Sequence, residues 1–142
     1  MKKIAQKALD DLEFGVILEQ AALRCVTALG KAQMMTTMPS SDAHEVKKTL
    51  LRTNEYAISF SEEKPIPNHG FEDVSEEVSL LDVENSKIEV EGFRKLLLLV
   101  DTANTLITFF KKNKDRYPTL YEATYGQVPI KEIPNEINRV VD

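Results

Sequence analysis

The densest group of anion-binding side chains is a basic cluster, defined here as Lys111, Lys112, Lys114 and Arg116. Three tyrosines follow it within ten residues, and cations near aromatic rings are the residue types of a nucleic-acid surface. The cluster also ends a predicted helix, where cations interact favourably with the last carbonyls. Because the chain carries a net charge of −5, we favour the charged helix end, with nucleic-acid contact by the basic cluster as the alternative.

Few other residues could carry chemistry. His44 and His69 are predicted at a helix start and in a loop, where we expect both to be solvated rather than paired around a metal. Cys25 lies on an apolar rhythm and is expected to be a small buried hydrophobe. A phosphate-binding Gly-x-x-x-x-Gly-Lys-Ser/Thr loop does not occur in the sequence. We therefore expect no catalytic residue, cofactor or metal site in this chain, and no ATP turnover by it alone.

Residues 27–56 are predicted to form two helices around one break. One apolar face is Leu29, Ala32, Met35 and Met38, and the other is Ala43, Val46, Leu50, Asn54 and Ala57. Pro39 cannot continue a hydrogen-bonded helix, and Asp42 or its neighbour Ser41 can accept from the amides of the next first turn. Gly30 is favoured as a close-packing site between helices over a helix C-cap. Leu50, in the middle of the second face, is predicted to be buried.

The remaining chain also predicts helices. Residues 4–27 form one helix, or two with a step near residues 10–11, and residues 92–114 form the longest one. A short helix begins at Pro118 and stops at Gly126, and a last one begins at Pro134. A Pro/Gly-rich loop covers residues 62–70, before a short apolar face from Phe71 to Leu81, and residues 82–91 form an irregular or briefly extended linker. The predicted fold is an all-α, multi-helix bundle.

Length and composition limit the possible organisation. The 142 residues with a single cysteine suit one helical domain or a domain fragment in a reducing compartment. The longest apolar run, residues 96–100, is far shorter than a membrane span, so we expect a cytoplasmic protein without membrane contact. The last predicted helix begins an apolar face at Ile137, Val140 and Val141 that is unfinished at Asp142. We therefore expect the chain to be a piece cut from a longer protein.

Several short motifs occur in an order that resembles a known family. They are Leu12-Glu13-Phe14 with Ile17-Leu18, Thr27-x-Leu29-Gly30-Lys31 followed by Pro39 and Asp42, a Leu-rich helix ending near Glu55, Gly70-Phe71-Glu72-Asp73-Val74, Tyr117-Pro118-Thr119-Leu120, and the run from Ile137 to Asp142. Together they resemble the second bacterial MutS family, which lacks a mismatch-reading domain. The sequence departs from that pattern at Asn85-Ser86, where the family has two glycines.

This resemblance implies a non-catalytic N-terminal core or lever segment that couples ATPase domains to a clamp. The parent protein would bind ATP and Mg²⁺, act as a homodimer on branched DNA or stalled ribosomes, and often carry a nuclease domain. The partner of this chain would then be the rest of the parent polypeptide. The alternative is a freestanding helical adaptor that binds a protein partner through Met34, Met35 and Met38 or through its last apolar face. An independent nucleic-acid-binding module is disfavoured by the net charge.

Overall fold

A computed structural model describes residues 4–141, with side chains described as far as residue 139. The described residues form eight α-helices and contain no β-strand. The helices are α1 (Gln6–Asp11), α2 (Phe14–Ala22), α3 (Ala28–Met35), α4 (Ala43–Ser59), α5 (Ser75–Leu80), α6 (Val90–Lys112), α7 (Pro118–Thr124) and α8 (Glu132–Val141). The prediction of an all-α fold is confirmed. No helix in this part of the chain is long and apolar enough to cross a membrane.

The chain divides into two compact units, and the first ends at Leu51. In this N-terminal unit α1 packs on α2, and α2 packs on α3. Glu13 takes up a left-handed conformation, with φ of 53°, and separates α1 from α2, so the predicted step lies just after residues 10–11. Among the described side chains of this unit only Leu9 and Ala22 are buried hydrophobes. The unit therefore has a very small core.

The second unit begins at Arg52 and is organised around α6. This helix has 23 residues, close to the predicted range 92–114, and both α7 and α8 pack against it. Its apolar core, among the described side chains, consists of Val74, Val100, Phe110, Tyr117 and Ile137. The periodicity of α6 thus identified the element that builds the larger core.

The turns around α6 follow from local sequence. Pro118 is the first residue of α7, and Gly126 ends the following turn with φ of 81°, a conformation that favours glycine. Residues 82–89 contain no strand, and Asn85 is left-handed, which agrees with an irregular linker. α8 starts at Glu132, two residues before the predicted Pro134. The predicted apolar face of the last helix includes Val140 and Val141, whose side chains lie outside the described part of the chain.

The short helix α5 is only half of what the apolar pattern predicted. Val74 is buried just before the helix, whereas Val78 and Leu81 are exposed. Asp73 lies at the start, where its Oδ1 accepts from the backbone N–H of Ser75 at 2.9 Å and from the Ser75 hydroxyl at 2.6 Å. These bonds fix the entry into α5 without much apolar burial.

Candidate functional site

The break between α3 and α4 is built from polar side chains. The hydroxyls of Thr36 and Thr37 donate to the Gln33 carbonyl at 3.0 and 3.2 Å, and α3 stops at Met35, so Met38 is no longer helical. Hydroxyls that bond back to the preceding turn compete with helix continuation. Pro39 lies in the non-helical stretch, as predicted, although the helix ends before it.

Asp42 starts α4 as predicted. Its Oδ1 accepts from the backbone N–H of His44 at 2.8 Å and of Glu45 at 3.2 Å, two amides that a helix N-terminus otherwise leaves unpaired. Glu45 accepts from the Ser40 hydroxyl at 2.8 Å, and the Ser40 oxygen in turn accepts from the Asp42 N–H at 3.2 Å. This corner is a closed set of local hydrogen bonds.

Gly30 lies inside the first turn of α3, which excludes the C-cap role. Its N–H donates to the Thr27 hydroxyl at 3.0 Å, and a Cβ at this position would lie 3.1 Å from that oxygen and 3.8 Å from Cβ of Cys25. The close approach is therefore to the cap and the preceding turn. Cys25 itself is half-buried, with its Sγ 3.7 Å from the Ala21 carbonyl oxygen.

The predicted burial of Leu50 is wrong. Its side chain is 64 % exposed, and Val46 on the same stripe is also exposed. The physical reason is that α4 turns its opposite, polar face inward, where Glu55 and Ser59 are the buried residues. The apolar stripe exists as the sequence indicated, but no other described part of the chain covers it.

The buried polar face of α4 holds the start of α7. Glu55 is 7 % exposed, and its two carboxylate oxygens accept from the backbone N–H groups of Thr119 at 3.0 Å and Leu120 at 2.9 Å. Charged acceptors make such bonds stronger than neutral ones, and a carboxylate suits the positive end of a helix. The Glu55–α7 joint, defined by these three residues, connects segments more than sixty positions apart.

Sequence reasoning missed this role of Glu55. A signal was present, because α7 starts at Pro118 and has Tyr117 at the N-cap position, with no side-chain cap hydrogen bond. A helix without a local Ser, Thr, Asp or Asn cap must find acceptors elsewhere. The absent cap indicates a distant acceptor, although it does not identify Glu55.

An aromatic group lies beside the joint. Tyr117 is 1 % exposed, and its ring centroid lies 5.8 Å from that of Phe109 and 6.2 Å from that of Phe110. These separations are typical of attractive aromatic pairs, which add to the free energy gained by burial. The C-terminal end of α6 and the start of α7 therefore share one packed core.

His69 is half-buried, whereas the sequence predicted a solvated side chain, and His44 is exposed as predicted. The Nδ1 of His69 lies 3.0 Å from the Pro67 carbonyl oxygen and its Nε2 lies 3.1 Å from the Tyr56 hydroxyl. A carbonyl only accepts, so the Nδ1 of His69 carries a proton and donates to the Pro67 oxygen. The histidine ties the Pro/Gly-rich loop to α4.

The basic cluster is divided by the structure. Arg116 forms an ion pair with Glu62, and the hydrogen bond that the guanidinium donates to that carboxylate raises the pKa of Arg116 above its ordinary value. Lys111, Lys112 and Lys114 are exposed. Arg116 is thus engaged within the chain, and three cations remain on the surface.

Two grooves flank the end of α6. One, of 290 Å³, is lined by Ile107, Lys111, Tyr121, Thr124, Tyr125, Gly126, Gln127 and Val128. The other, of 620 Å³, is lined by Pro67, Asp101, Asn104, Thr105, Thr108, Phe109, Lys112 and Asn113. Lys111 and Lys112 therefore line different grooves, and Lys114 lines neither of the two. Within the described residues, no group of three or more His, Cys, Asp or Glu side chains could hold a metal ion.

Comparison with known proteins gives distant relatives of one kind. The chain is 27 % identical over 110 residues to endonuclease MutS2 of Lactobacillus johnsonii, which covers 78 % of this chain and 14 % of that protein. It is 25 % identical over 145 aligned positions to endonuclease MutS2 of Pelotomaculum thermopropionicum, covering 96 % of this chain and 17 % of that protein. A third alignment, to endonuclease MutS2 of Lactobacillus gasseri, is 34 % identical over 67 residues, 47 % of this chain and 8 % of that protein.

The extent of these alignments limits what they establish. The chain spans less than one fifth of the length of these relatives. No protein-family model and no solved structure matches it. The similarities nevertheless support the conclusion that this chain is distantly related to a segment of the MutS2 endonucleases.

Proposed function

We propose that this chain is a non-catalytic core or lever segment of a MutS-type ATPase and couples the ATPase domains to a clamp. The observation that carries the proposal is the Glu55–α7 joint, in which a buried carboxylate holds the first amides of another helix. A lever transmits movement only if its helices are firmly connected. The relationship to MutS2 endonucleases supplies the setting.

The joint has the properties that coupling needs. Moving α4 relative to α7 would leave two amides and a carboxylate without partners, and hydrogen bonds to charged groups contribute about 1.5–3 kcal/mol each. α7 also packs on α6, and the rings of Phe109, Phe110 and Tyr117 lie between them. A displacement of the C-terminal half of α4 is therefore passed to α6 through α7.

Other properties belong to the proposed parent polypeptide. ATP and Mg²⁺ would be bound by its ATPase domains, and the parent would be a cytoplasmic homodimer that acts on branched DNA or on ribosomes, with a possible additional nuclease domain. The catalytic residues would lie in those domains. The contribution of this chain would be mechanical.

The intact parent provides the test. The downstream reading frame should encode a phosphate-binding loop, and in that protein Glu55→Gln should leave basal ATPase activity unchanged. Stimulation of the ATPase by branched DNA or ribosomes, whichever activates the wild type, should fall several-fold. Glu63→Gln is the matched control, because Glu63 is exposed in the loop after α4. Full stimulation in Glu55→Gln, or a reading frame without an ATPase, would refute the lever role.

A freestanding adaptor is the second candidate, and the exposed apolar stripe of α4 favours it. A third interpretation is nucleic-acid contact by the basic cluster. It is favoured by one observation, that Lys111, Tyr121 and Tyr125 line the same groove. A gel-shift titration of the 142-residue chain with branched DNA tests the latter. We expect no retention at about 150 mM salt, since a net charge of −5 opposes binding to phosphates. Submicromolar retention that is lost when Lys111, Lys112, Lys114 and Arg116 are all replaced would favour a binding module.

A further inference from the structure

The smaller groove at the end of α6 combines a cation with two aromatic rings and lies entirely within the second unit. This Lys111 groove, the one of 290 Å³, has Lys111 as the only charged residue among the described ones that line it. Lys111 is exposed, and its ammonium donates hydrogen bonds but accepts none. A cationic ligand would be repelled there, whereas an anionic group such as a phosphate gains a charge-assisted hydrogen bond. The lining therefore favours an anionic ligand.

Two tyrosines indicate the shape of the ligand. The ring centroids of Tyr121 and Tyr125 lie 6.1 Å apart with their planes at 88°, which is an attractive edge-to-face pair. The Tyr125 side chain is nevertheless 74 % exposed, so ring surface remains in solvent and is available for stacking. A flat aromatic group placed on that ring gains a ring–ring interaction in addition to the free energy of burial, which a saturated group does not. The rings therefore favour a planar ligand.

The neutral polar groups of the Lys111 groove match the edge of a heterocycle. The Thr124 hydroxyl donates to the Tyr121 carbonyl at 2.9 Å, so its oxygen can only accept from a ligand. The side-chain amide of Gln127, which also lines the groove, has both donors and an acceptor. The edge of a nucleobase presents donors and acceptors side by side, whereas the ring of a simple aromatic acid presents neither. The lining therefore suits a nucleobase better than a plain aromatic acid.

We propose that the Lys111 groove binds one nucleotide, with its base stacked on Tyr125 and its phosphate paired with Lys111. A volume of 290 Å³ lies at the lower limit of small-molecule pockets, so one nucleotide fits and a longer segment does not. The ligand is either a free nucleoside monophosphate or an unpaired nucleotide of a single strand. The net charge of −5 opposes a polyanion more than a single phosphate, which favours the free nucleotide. The lever role does not enter this inference.

An NMR titration of the isotope-labelled 142-residue chain tests the two contacts separately. Adenosine monophosphate contains both the base and the phosphate, adenosine lacks the phosphate, and ribose phosphate lacks the base. One ion pair and one stacking contact at an exposed site predict a Kd of about 1 mM for adenosine monophosphate. Its chemical-shift changes should centre on the backbone amides of Gly126 and Gln127, which line the groove. Adenosine and ribose phosphate should each bind at least about fivefold more weakly.

Two substitutions assign the contacts to their residues. Lys111→Gln removes the charge, so adenosine monophosphate should then bind no more tightly than adenosine. Tyr125→Leu removes an exposed ring, so adenosine monophosphate should then bind no more tightly than ribose phosphate. Lys114→Gln is the matched control, because Lys114 is exposed and does not line the groove, and it should leave the Kd within about twofold. Circular dichroism verifies that each variant is folded.

Three results would overturn this inference. The first is an unchanged spectrum up to about 10 mM adenosine monophosphate. The second is equal binding of ribose phosphate, which would reduce the groove to an unspecific anion contact. The third is nucleotide binding that neither Lys111→Gln nor Tyr125→Leu weakens, because the site would then lie elsewhere.

A short adenine oligonucleotide distinguishes the two sources of the nucleotide. We expect its Kd to lie within about fivefold of that of adenosine monophosphate, since one lysine provides the only charged contact. A Kd more than about tenfold lower, rising steeply with salt and lost in Tyr125→Leu, would keep both contacts and assign the groove to a single strand. Failure of nucleotide binding would leave the test of Glu55→Gln in the parent unaffected, so the two proposals fail separately.

Discussion

The two units of the chain use their apolar residues differently. The N-terminal unit has helices of six, nine and eight residues before α4 and buries only Leu9 and Ala22 among its described hydrophobes. The C-terminal unit closes around the 23 residues of α6 and buries large side chains such as Phe110 and Tyr117. The comparison shows that apolar periodicity marks which face of a helix gains from burial but does not tell whether a neighbour is present.

α4 combines a buried side and an uncovered apolar side in a single helix. Its C-terminal half places Glu55 and Ser59 in the interior of the second unit, and its apolar stripe remains in solvent. α4 has 17 residues, and most of the stability of a helix in a protein comes from packing of one face. Packing of the Glu55 side can therefore hold the helix while its other side stays in solvent. Burial of the polar side is tolerated because the Glu55 carboxylate finds two amides and the Ser59 hydroxyl donates to the Tyr56 carbonyl at 2.7 Å.

The largest effect is expected for Phe110→Ala. The ring is buried at the centre of the second core, and truncating a buried phenylalanine costs roughly 3–5 kcal/mol of unfolding free energy, because transfer energy is lost and a cavity remains. Phe60→Ala is the control, since that ring is 70 % exposed, and it should cost less than about 1 kcal/mol. Urea unfolding followed by circular dichroism measures both, and equal midpoints would show that the second core is not as described.

Glu55→Gln should have the second-largest effect. Replacing the charged acceptor by a neutral amide weakens one bond to α7 and turns a donor toward the other amide, for a loss of about 2 kcal/mol. Hydrogen exchange at the amides of Thr119 and Leu120 gives the local measurement, and both should exchange faster than in Glu63→Gln. Unchanged protection of these two amides would mean that the carboxylate does not hold α7.

Leu50→Ala should be nearly neutral, although the sequence pattern placed this residue in a core. With 64 % of the side chain exposed, little transfer energy is lost, and the cost should stay below about 1 kcal/mol. The matched change Val100→Ala removes fewer atoms from a buried site and should cost roughly 2 kcal/mol. Both are measured by urea unfolding followed by circular dichroism. A larger loss for Leu50→Ala than for Val100→Ala would reverse the comparison.

These contrasts show what the sequence could predict. The course of α6, the start of α7 at Pro118 and the stop at Gly126 depend on local propensities and one continuous apolar face, so sequence sufficed for them. The cap at Asp42 is likewise local, with partners two and three residues away. Pro39 marked the break for the same reason.

The misassigned residues depend on contacts between distant positions. Leu50 has an apolar pattern around it but no described neighbour above it, and Glu55 is charged yet buried because α7 supplies its donors. His69 finds Tyr56 thirteen residues away. Neither periodicity nor composition contains such pairings, and the absent cap of α7 was the one available indication.

The smallest effect concerns Asp73 at the start of α5. Hydrogen bonds from the hydroxyl and the backbone N–H of Ser75 lower the pKa of Asp73 below its ordinary value. The folded state therefore prefers the carboxylate, and this contribution to stability is complete above the unfolded pKa and is lost as the pH falls through the lower folded pKa. Ser75→Ala removes the hydroxyl donor and leaves the backbone donor, so the pKa of Asp73 should move part of the way back up.

A carboxyl titration by NMR measures this shift. Ser79→Ala provides the control, because the Ser79 hydroxyl donates to the Glu76 carbonyl and not to Asp73. Since the group is exposed, we expect the change in the pKa of Asp73 without a resolvable change in the urea midpoint at neutral pH. An identical pKa in wild type and Ser75→Ala would show that the hydroxyl does not contact the carboxylate in solution. The start of α5 would then depend on the backbone bond from Ser75 alone.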